Sequence, residues 1–155
     1  MSRDHVIDKF RAFVAEEQET LGRLLFWAER VVVQRTIDAL ERDGGAPITF
    51  AELQVMQQLC LQDMRLTALA ERMRMSKQAA LQIVDGLERK GVVERRPDPD
   101  DGRAKVIGYT EAGFRLIETV IDATIAIEAG IAATIGKESL RALKRNLQKM
   151  VESKE

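Results

Sequence analysis

The hydrophobic pattern of this chain changes period abruptly at one glycine, Gly91. Before it, apolar residues recur every three or four positions, which is the spacing of one buried helix face. These apolar residues are Ala80, Ile83, Val84 and Leu87. Ser76 is a favoured N-cap, and Gly91 suits the position after a C-cap. The sequence therefore predicts a helix over residues 77–90 that ends where the pattern changes.

A β-hairpin is predicted directly after this helix. Residues 92–96 and 105–109 resemble short strands, and residues 97–103 between them are dense with turn formers. A shorter helix over residues 66–73 comes first, and only two residues separate it from Ser76. The order of short helix, tight turn, helix and hairpin predicts a winged helix-turn-helix, whose second helix can enter the major groove of DNA.

More helices are predicted upstream of this unit. Thr49 and Glu52 have the spacing of a capping box, which predicts a helix over residues 50–60. Residues 4–42 contain no proline and carry apolar residues at helical spacing. The polar run 16–20 leaves open whether they form one helix or two.

Two further helices are predicted near the C-terminus. Thr110 can cap a helix over residues 111–129, and residues 136–154 again carry apolar residues at helical spacing. The expected fold class is therefore mainly α, with a small β-hairpin wing. The apolar stripes of the terminal helices are too long for one small domain to bury, which implies a partner surface.

The charge of the chain is distributed unevenly. The net charge is −1, yet residues 65–105 hold ten Lys or Arg and seven Asp or Glu, a local net of +3. A mildly basic section inside an acidic chain is compatible with phosphate contacts. With 155 residues, 45% of them hydrophobic, a globular core is expected. No membrane span and no signal peptide is recognised, which favours the cytoplasm.

The predicted DNA contacts come from the helix start and from the wing. At the helix start the polar residues are Ser76, Lys77, Gln78 and Gln82. Gln can bond an adenine edge, while Lys and Ser can bond phosphate or guanine. On the wing the basic residues are Arg95, Arg96, Arg103 and Lys105. An arginine at a hairpin tip suits a narrow minor groove. These charges could also be an ordinary solvated surface.

Acidic residues at the wing tip should repel DNA unless a cation neutralises them. They are Asp98, Asp100 and Asp101. Asp101 stands two residues before Arg103, where it could orient the guanidinium. The single cysteine, Cys60, is expected to be a small buried hydrophobe.

Residues 48–113 resemble the MarR family of bacterial regulators. The most specific motif is Asp98-Pro99-Asp100-Asp101-Gly102-Arg103, followed by Thr110 and Gly113. It looks like the wing tip of the family running into a Thr-x-x-Gly helix start. The helix-turn-helix resembles the family as well, through Leu66-Thr67-Ala68-Leu69-Ala70 and Gly86-Leu87-Glu88-Arg89-Lys90-Gly91.

The resemblance implies an obligate homodimer with three regions in each chain. Residues 1–42 would be N-terminal dimerisation helices, 48–113 the winged helix-turn-helix, and 114–155 C-terminal dimerisation helices. Two recognition helices would then read successive major grooves of a palindromic operator. By the same resemblance, Arg103 would enter the minor groove with Asp101 supporting it.

Three positions depart from the family pattern. Leu81 stands where relatives commonly carry a polar DNA contact, and it could instead touch a thymine methyl group. Gly86 stands where many relatives are basic, and Gly108-Tyr109 precedes Thr110 where a branched apolar residue is usual. These departures bear on the base contacts rather than on the fold.

The resemblance also implies a small aromatic or phenolic effector that relieves repression. Its crevice could be lined by Arg23, Phe26, Trp27, Arg30 and Met56, although a tryptophan at helical spacing is more often a core residue. No enzymatic activity, metal or cofactor is expected, because the only histidine is His5 and no phosphate loop is present. The alternative is a winged-helix module for protein–protein contact.

Overall fold

The computed structural model describes residues 2–16, 20–44, 46–59 and 62–153. Within these residues the helices are α1 Arg3–Glu16, α2 Leu21–Arg42, α3 Phe50–Leu59, α4 Leu66–Arg72, α5 Lys77–Arg89, α6 Glu111–Ile135 and α7 Lys137–Glu152. The strands are β1 Met64–Arg65, β2 Val93–Pro97 and β3 Lys105–Tyr109. The expected class, mainly α with a small wing, is confirmed. No helix in the described ranges is both long and apolar enough to cross a membrane.

The N-terminal region contains two helices, α1 and α2, which answers the question that the sequence left open. The chain divides into two compact units, residues 1–33 and 34–155. In the first unit, many of the large apolar side chains are about half exposed. They include Val6, Phe10, Phe13, Leu21, Leu24, Phe26, Trp27 and Val31. Trp27 is therefore not a core residue of this chain taken alone.

The core of the second unit joins α3, α4, α5 and the sheet. Its largest fully buried side chains are Leu40, Leu53, Met56, Leu59, Leu69, Leu87 and Ile107, with Val55, Val84 and Val93. Burying one such side chain contributes about 1.5–3 kcal/mol, so this cluster is the main source of stability. Of the inner face of α5 predicted from the sequence, Ala80, Val84 and Leu87 are fully buried in this core, and Ile83 is half-buried.

The predicted capping box at the start of α3 is present. The Glu52 backbone N–H donates to Thr49 Oγ1 at 3.3 Å, and the Thr49 N–H donates to Glu52 Oε2 at 2.8 Å. The same carboxylate accepts a hydrogen bond from Lys90 Nζ at 2.5 Å. A Cβ on Gly86 would lie 2.8 Å from Glu52 Oε1. Gly86 therefore makes room for an ion pair that ties the start of α3 to the end of α5.

The two ends of α5 are formed as the sequence predicts. Ser76 Oγ accepts from the Ala79 N–H at 3.1 Å. At the other end Gly91 has φ +70°, and its N–H donates to the Glu88 carbonyl at 2.9 Å. Because an L side chain rarely adopts this φ, glycine is favoured where the chain leaves the helix for β2.

The sheet has the order β1-β3-β2 and is antiparallel throughout. The predicted hairpin pairs Val93 with Tyr109 and Pro97 with Lys105. The strand β1 was not predicted, because two residues are too short to show a period. The Tyr109 hydroxyl donates to the Met56 carbonyl at 2.5 Å and anchors β3 to α3.

The start of α6 is packed closely against the end of α5. Thr110 Oγ1 accepts from the Gly113 N–H at 3.0 Å, so the predicted cap is confirmed, and it donates to the Gly91 carbonyl at 2.5 Å. A Cβ on Gly113 would collide with the Val92 carbonyl oxygen. The Thr-x-x-Gly spacing therefore serves both the cap and the close approach.

The helices α6 and α7 leave apolar faces uncovered. α6 runs to Ile135, beyond the expected residue 129, and α7, which is described throughout, buries none of its residues. The exposed apolar side chains are Phe114, Ile121, Ile125, Ile135, Leu143, Met150 and Val151. A strongly amphipathic helix with no buried residue indicates a surface made for a partner.

Candidate nucleic-acid interface

The N-terminal half of α5 presents an exposed surface that is polar except for Leu81. Its exposed residues are Ser76, Lys77, Gln78, Leu81 and Gln82. The predicted contact residues of this helix thus lie together, opposite the buried Ala80 and Val84. They are held rigidly, because α3 and α4 pack against α5 and the Ser76 cap fixes the first turn.

The wing tip is built around the carboxylate of Asp98, which is only 7% exposed. One oxygen accepts from the Asp100 N–H at 2.9 Å, and the other accepts from Arg65 Nε at 2.5 Å. Both bonds lower the pKa of Asp98 below its usual value, and the bond from the Asp100 backbone has the larger effect. Further backbone bonds, Asp98 N–H to Ala104 O at 3.0 Å and Ala104 N–H to Asp101 O at 2.8 Å, close the turn.

Arg103 is exposed at the wing tip, as a minor-groove contact would need. Its backbone N–H donates to Asp101 Oδ1 at 3.1 Å, and the other oxygen of Asp101 lies 3.6 Å from Arg65 Nη2. The expectation that Asp101 orients the Arg103 guanidinium needs correction. Asp101 fixes the backbone of Arg103 instead, because Arg65 occupies its second oxygen. Over the described ranges, the Arg103 guanidinium forms no hydrogen bond or ion pair.

The strand arginines are engaged within the protein. The Arg95 guanidinium binds Asp85 and Glu88 on α5, and the Arg95 N–H donates to Glu88 Oε1 at 3.3 Å. Only 21% of the Arg95 side chain is exposed. These bonds tie β2 to α5. The Arg95 guanidinium, which the sequence suggested as a DNA contact, is therefore already bonded within the protein.

Arg96 is bound on the other side of the sheet. Its Nη2 donates to Asp63 Oδ1 at 3.1 Å and to the Tyr109 carbonyl at 3.3 Å. A Cβ on Gly108 would collide with the Arg96 guanidinium and the Asp63 carboxylate. Gly108 therefore leaves the space that this ion pair occupies. Lys105, the remaining basic wing residue, is exposed.

Sequence reasoning missed Arg65 and Asp63, two residues that bind the wing from outside it. Both precede α4 and act on groups more than thirty positions away in sequence. No hydrophobic period in the sequence predicts a contact between residues so far apart. They reach the wing because β1 pairs with β3, and β1 is too short for the sequence to predict that pairing.

The suggested crevice residues do not all lie at a surface. Met56 is a core residue whose carbonyl accepts a hydrogen bond from the Tyr109 hydroxyl. It is therefore withdrawn as a lining residue. In the first unit, Phe26 and Trp27 stack edge to face at 5.3 Å, and Arg30 lies 5.7 Å from the Phe26 ring centroid.

The second unit contains a cleft of about 740 Å³ between its part of α2 and α6. Charged residues line it: Arg35, Asp38, Arg42, Asp43, Glu118 and Asp122. Among the residues that the structure describes, no group of His, Cys, Asp and Glu is placed to hold a metal ion. Cys60 lies outside the described residues.

Known structures share this architecture. Escherichia coli MarR without ligand is 22% identical, with a TM-score of 0.68 over 85% of this chain and 97% of that chain. A MarR family protein from Bacillus stearothermophilus is 26% identical, with a TM-score of 0.68 over 92% and 95%. A mutant of Staphylococcus aureus MepR, solved bound to an oligodeoxyribonucleotide, is 24% identical, with a TM-score of 0.57 over 86% and 96%.

The sequence comparison agrees with the structural one. No curated protein sequence is similar enough to count as a match. Residues 46–104, which span α3, the helix-turn-helix and the wing tip, match the sequence model of the MarR family. This chain is thus similar to the MarR family of winged-helix transcriptional regulators, in sequence over residues 46–104 and in fold over most of its length.

Proposed function

We propose that this protein is a homodimeric repressor that binds a palindromic operator in double-stranded DNA. In this proposal α5 enters the major groove, and Arg103 reaches into the adjacent minor groove. The observation that supports it most is that the α5 contact surface and the side chain of Arg103 are both exposed. Among the described residues, the Arg103 guanidinium has no hydrogen-bond or ion-pair partner. The oligonucleotide bound to the MepR mutant supports the same kind of ligand.

The roles of the α5 side chains follow from their chemistry. Gln78 and Gln82 stand one turn apart on the exposed face, where each can donate to and accept from an adenine edge. Lys77 suits a phosphate or a guanine. Leu81 is 38% exposed between the glutamines and is proposed to contact a thymine methyl group.

The wing residues divide into two groups. Arg103 and Lys105 are exposed and are proposed to contact DNA, since a narrow minor groove attracts a guanidinium. Arg95 and Arg96 already bind carboxylates. They are proposed to position the wing against α5 and the Asp63 loop.

The proposed homodimer rests on the uncovered apolar faces. Within this chain, the exposed leucine, isoleucine and aromatic side chains of α1, α2, α6 and α7 are far more numerous than isolated surface hydrophobes. Pairing with a second copy would bury them and would place two α5 helices for the two halves of a palindrome.

A small aromatic acid is the proposed effector. The 740 Å³ cleft has the size of a ligand site, and Arg35 and Arg42 could bind a carboxylate there. A ligand between α2 and α6 would change their separation. Because α6 begins beside the end of α5, such a change could alter the spacing of the recognition helices.

The second candidate function is a winged-helix module that binds protein rather than DNA. Exposed Leu81 in the middle of the contact surface favours it, as do the carboxylate partners of Arg95 and Arg96. This function predicts no sequence-specific DNA complex.

Selection of bound duplexes from random DNA separates the two candidates. The full-length protein should enrich a palindromic sequence, and its affinity should fall steeply between 50 mM and 200 mM salt, by about 10³-fold or more. Candidate aromatic acids should release the selected DNA. Failure to enrich any sequence, or a flat salt response, would favour the protein-binding module.

A further inference from the structure

The turn between α4 and α5 contains a residue in an unfavourable backbone conformation. Arg74 has φ +50°, the left-handed region that residues with a Cβ rarely adopt. Over the described ranges no other residue besides glycine has a positive φ, and the three such glycines are Gly44, Gly91 and Gly136. A strained residue of this kind is a reason to look for a function.

The same turn geometry occurs a second time in this chain, with glycine. At the end of α4, Arg74 N–H donates to Glu71 O and Met75 N–H donates to Ala70 O, both at 3.0 Å. At the end of α5, Gly91 and the residue after it make the equivalent bonds at 2.9 and 3.0 Å. Both helices thus end in a Schellman motif. Glycine is the residue that this backbone favours, and the first motif has arginine in its place.

Packing does not account for the arginine. Arg74 is exposed, and its guanidinium makes no hydrogen bond or ion pair with any residue that the structure describes. The neighbouring Arg72 differs, because its Nη1 donates to the Gln58 carbonyl at 3.0 Å. The side chain of Arg74 therefore does not offset the backbone cost by contacts within the chain.

The position of Arg74 suggests what the side chain does. It stands two residues before the Ser76 N-cap, at the end of α5 that carries Lys77 and Gln78. A long cation at the mouth of a helix inserted in the major groove meets the phosphates on the groove edge. A guanidinium can bind such a phosphate through two hydrogen bonds.

We infer that Arg74 binds a DNA phosphate at the edge of the major groove that α5 enters. This inference rests on the proposed DNA-binding function. It adds to the interface a residue that lies outside both α5 and the wing. It also explains why the turn carries a charged residue where glycine would be easier to accommodate.

The test replaces Arg74 with the residue that the backbone prefers. Arg74→Gly removes the guanidinium and relieves the conformation, and Arg74→Asn does the same with a side chain that tolerates positive φ. Arg74→Lys keeps the charge. Arg89→Ala, an exposed cation at the opposite end of α5, is the control for loss of one charge.

Operator affinity, its salt dependence and the thermal midpoint are measured on the full-length chain. For Arg74→Gly and Arg74→Asn, we expect Kd to rise about tenfold on specific and random DNA alike. The salt slope should fall by about 2 for a dimer that loses two phosphate contacts. The Tm should be unchanged or higher. Arg74→Lys should keep most of the slope, and Arg89→Ala should keep both slope and affinity.

Three results would overturn the inference. Wild-type affinity and slope in Arg74→Gly would show that the side chain does not meet phosphate. A lowered Tm in both Arg74→Gly and Arg74→Asn would show that the arginine is structural. Equal losses in Arg89→Ala would reduce the effect to net charge. If the wild-type protein itself selects no DNA, the proposed function fails first, and that outcome is recognised before any variant is made.

Discussion

Arg65 Nε lies 2.5 Å from Asp98 Oδ2, in an ion pair that joins β1 to the wing tip. The same carboxylate holds the Asp100 N–H, and the same guanidinium lies 3.6 Å from Asp101 Oδ2. Since Asp101 in turn holds the Arg103 N–H, a continuous series of polar contacts runs from β1 to the proposed minor-groove residue. The wing of this protein is positioned by a strand of two residues.

Arg65→Ala should loosen the wing tip without unfolding the protein. Removing the guanidinium leaves Asp98 and Asp101 without their cation, so the turn loses the ion pairs that join it to β1. We expect faster hydrogen exchange at the Asp100 and Ala104 amides, unchanged exchange in α3, and a Kd for the operator that rises severalfold. Asp98→Asn, which keeps an acceptor for the Asp100 amide, should show a smaller effect. Wild-type exchange at both wing amides in Arg65→Ala would contradict this role.

The order of the wing should depend on pH only in acid. The pKa of Asp98 is lowered by the Asp100 N–H and by Arg65, so its contribution to stability is fully present above the pKa of an unfolded aspartate, about 3.9. That contribution is lost as the pH falls through the lower pKa of the folded state. We expect the NMR shift of the Asp100 amide to be constant from pH 8 to pH 5 and to titrate below about pH 4.

Asp98→Asn is the control for the acid titration. Its amide cannot titrate, so the Asp100 signal should lose that transition. A titration of the wild-type Asp100 amide near pH 6 would mean that the Asp98 carboxylate is not held as the structure has it.

The parts of the fold that could be predicted from the sequence are local ones. Ser76, Thr110 and the Thr49–Glu52 box each bond a backbone group three residues away, so residue type and spacing were enough. Gly91 at the end of α5 could be predicted for a similar reason, because its positive φ favours glycine whatever the rest of the chain does. The contact surface of α5 followed from these boundaries and from the helical period.

The roles of the arginines could not be predicted, because they depend on contacts between distant parts of the chain. The partner of Arg65 lies 33 positions away, and the partners of Arg95 lie across the α5–β2 junction. Composition gives a charge to this region but does not say which guanidinium is already bound. For the same reason Asp101 was expected to hold the guanidinium of Arg103, whereas it bonds the Arg103 backbone and lies beside Arg65.

Gly86→Ala should destabilise the second unit through a clash. The new Cβ would lie 2.8 Å from Glu52 Oε1, in a buried cluster that also holds Lys90. The carboxylate must shift and weaken either its capping bond or its ion pair. We expect a loss of about 1–3 kcal/mol in the free energy of unfolding, measured by urea denaturation.

Gly22→Ala is the matched control for this clash. A Cβ at Gly22, in α2, meets nothing within 4 Å, so the same added methyl group should be neutral or stabilise by about 0.5–1 kcal/mol. A neutral Gly86→Ala would mean that Glu52 has room to move and that the α3–α5 link is not rigid.

Leu143→Glu should weaken the proposed homodimer. Leu143 is 46% exposed on the apolar face of α7, a helix that buries none of its residues in the chain alone. A charge buried at a partner surface without a counter-ion is strongly unfavourable. We expect light scattering after size-exclusion chromatography to show a shift towards monomer at micromolar concentration. Arg145→Glu, also on α7, changes the charge by a larger amount and should leave the dimer intact if the apolar face is the cause.

Arg103→Ala should weaken operator binding while the dimer remains. Its guanidinium projects from an ordered turn and contributes no contact that holds the described chain together, so stability should not change. We expect the operator Kd to rise about tenfold in a fluorescence anisotropy titration. Arg103→Lys should recover part of the affinity, because the charge is kept while the planar guanidinium is lost. An unchanged Kd in Arg103→Ala would remove the wing tip from the interface and would leave α5 and the turn before it as the DNA-binding elements.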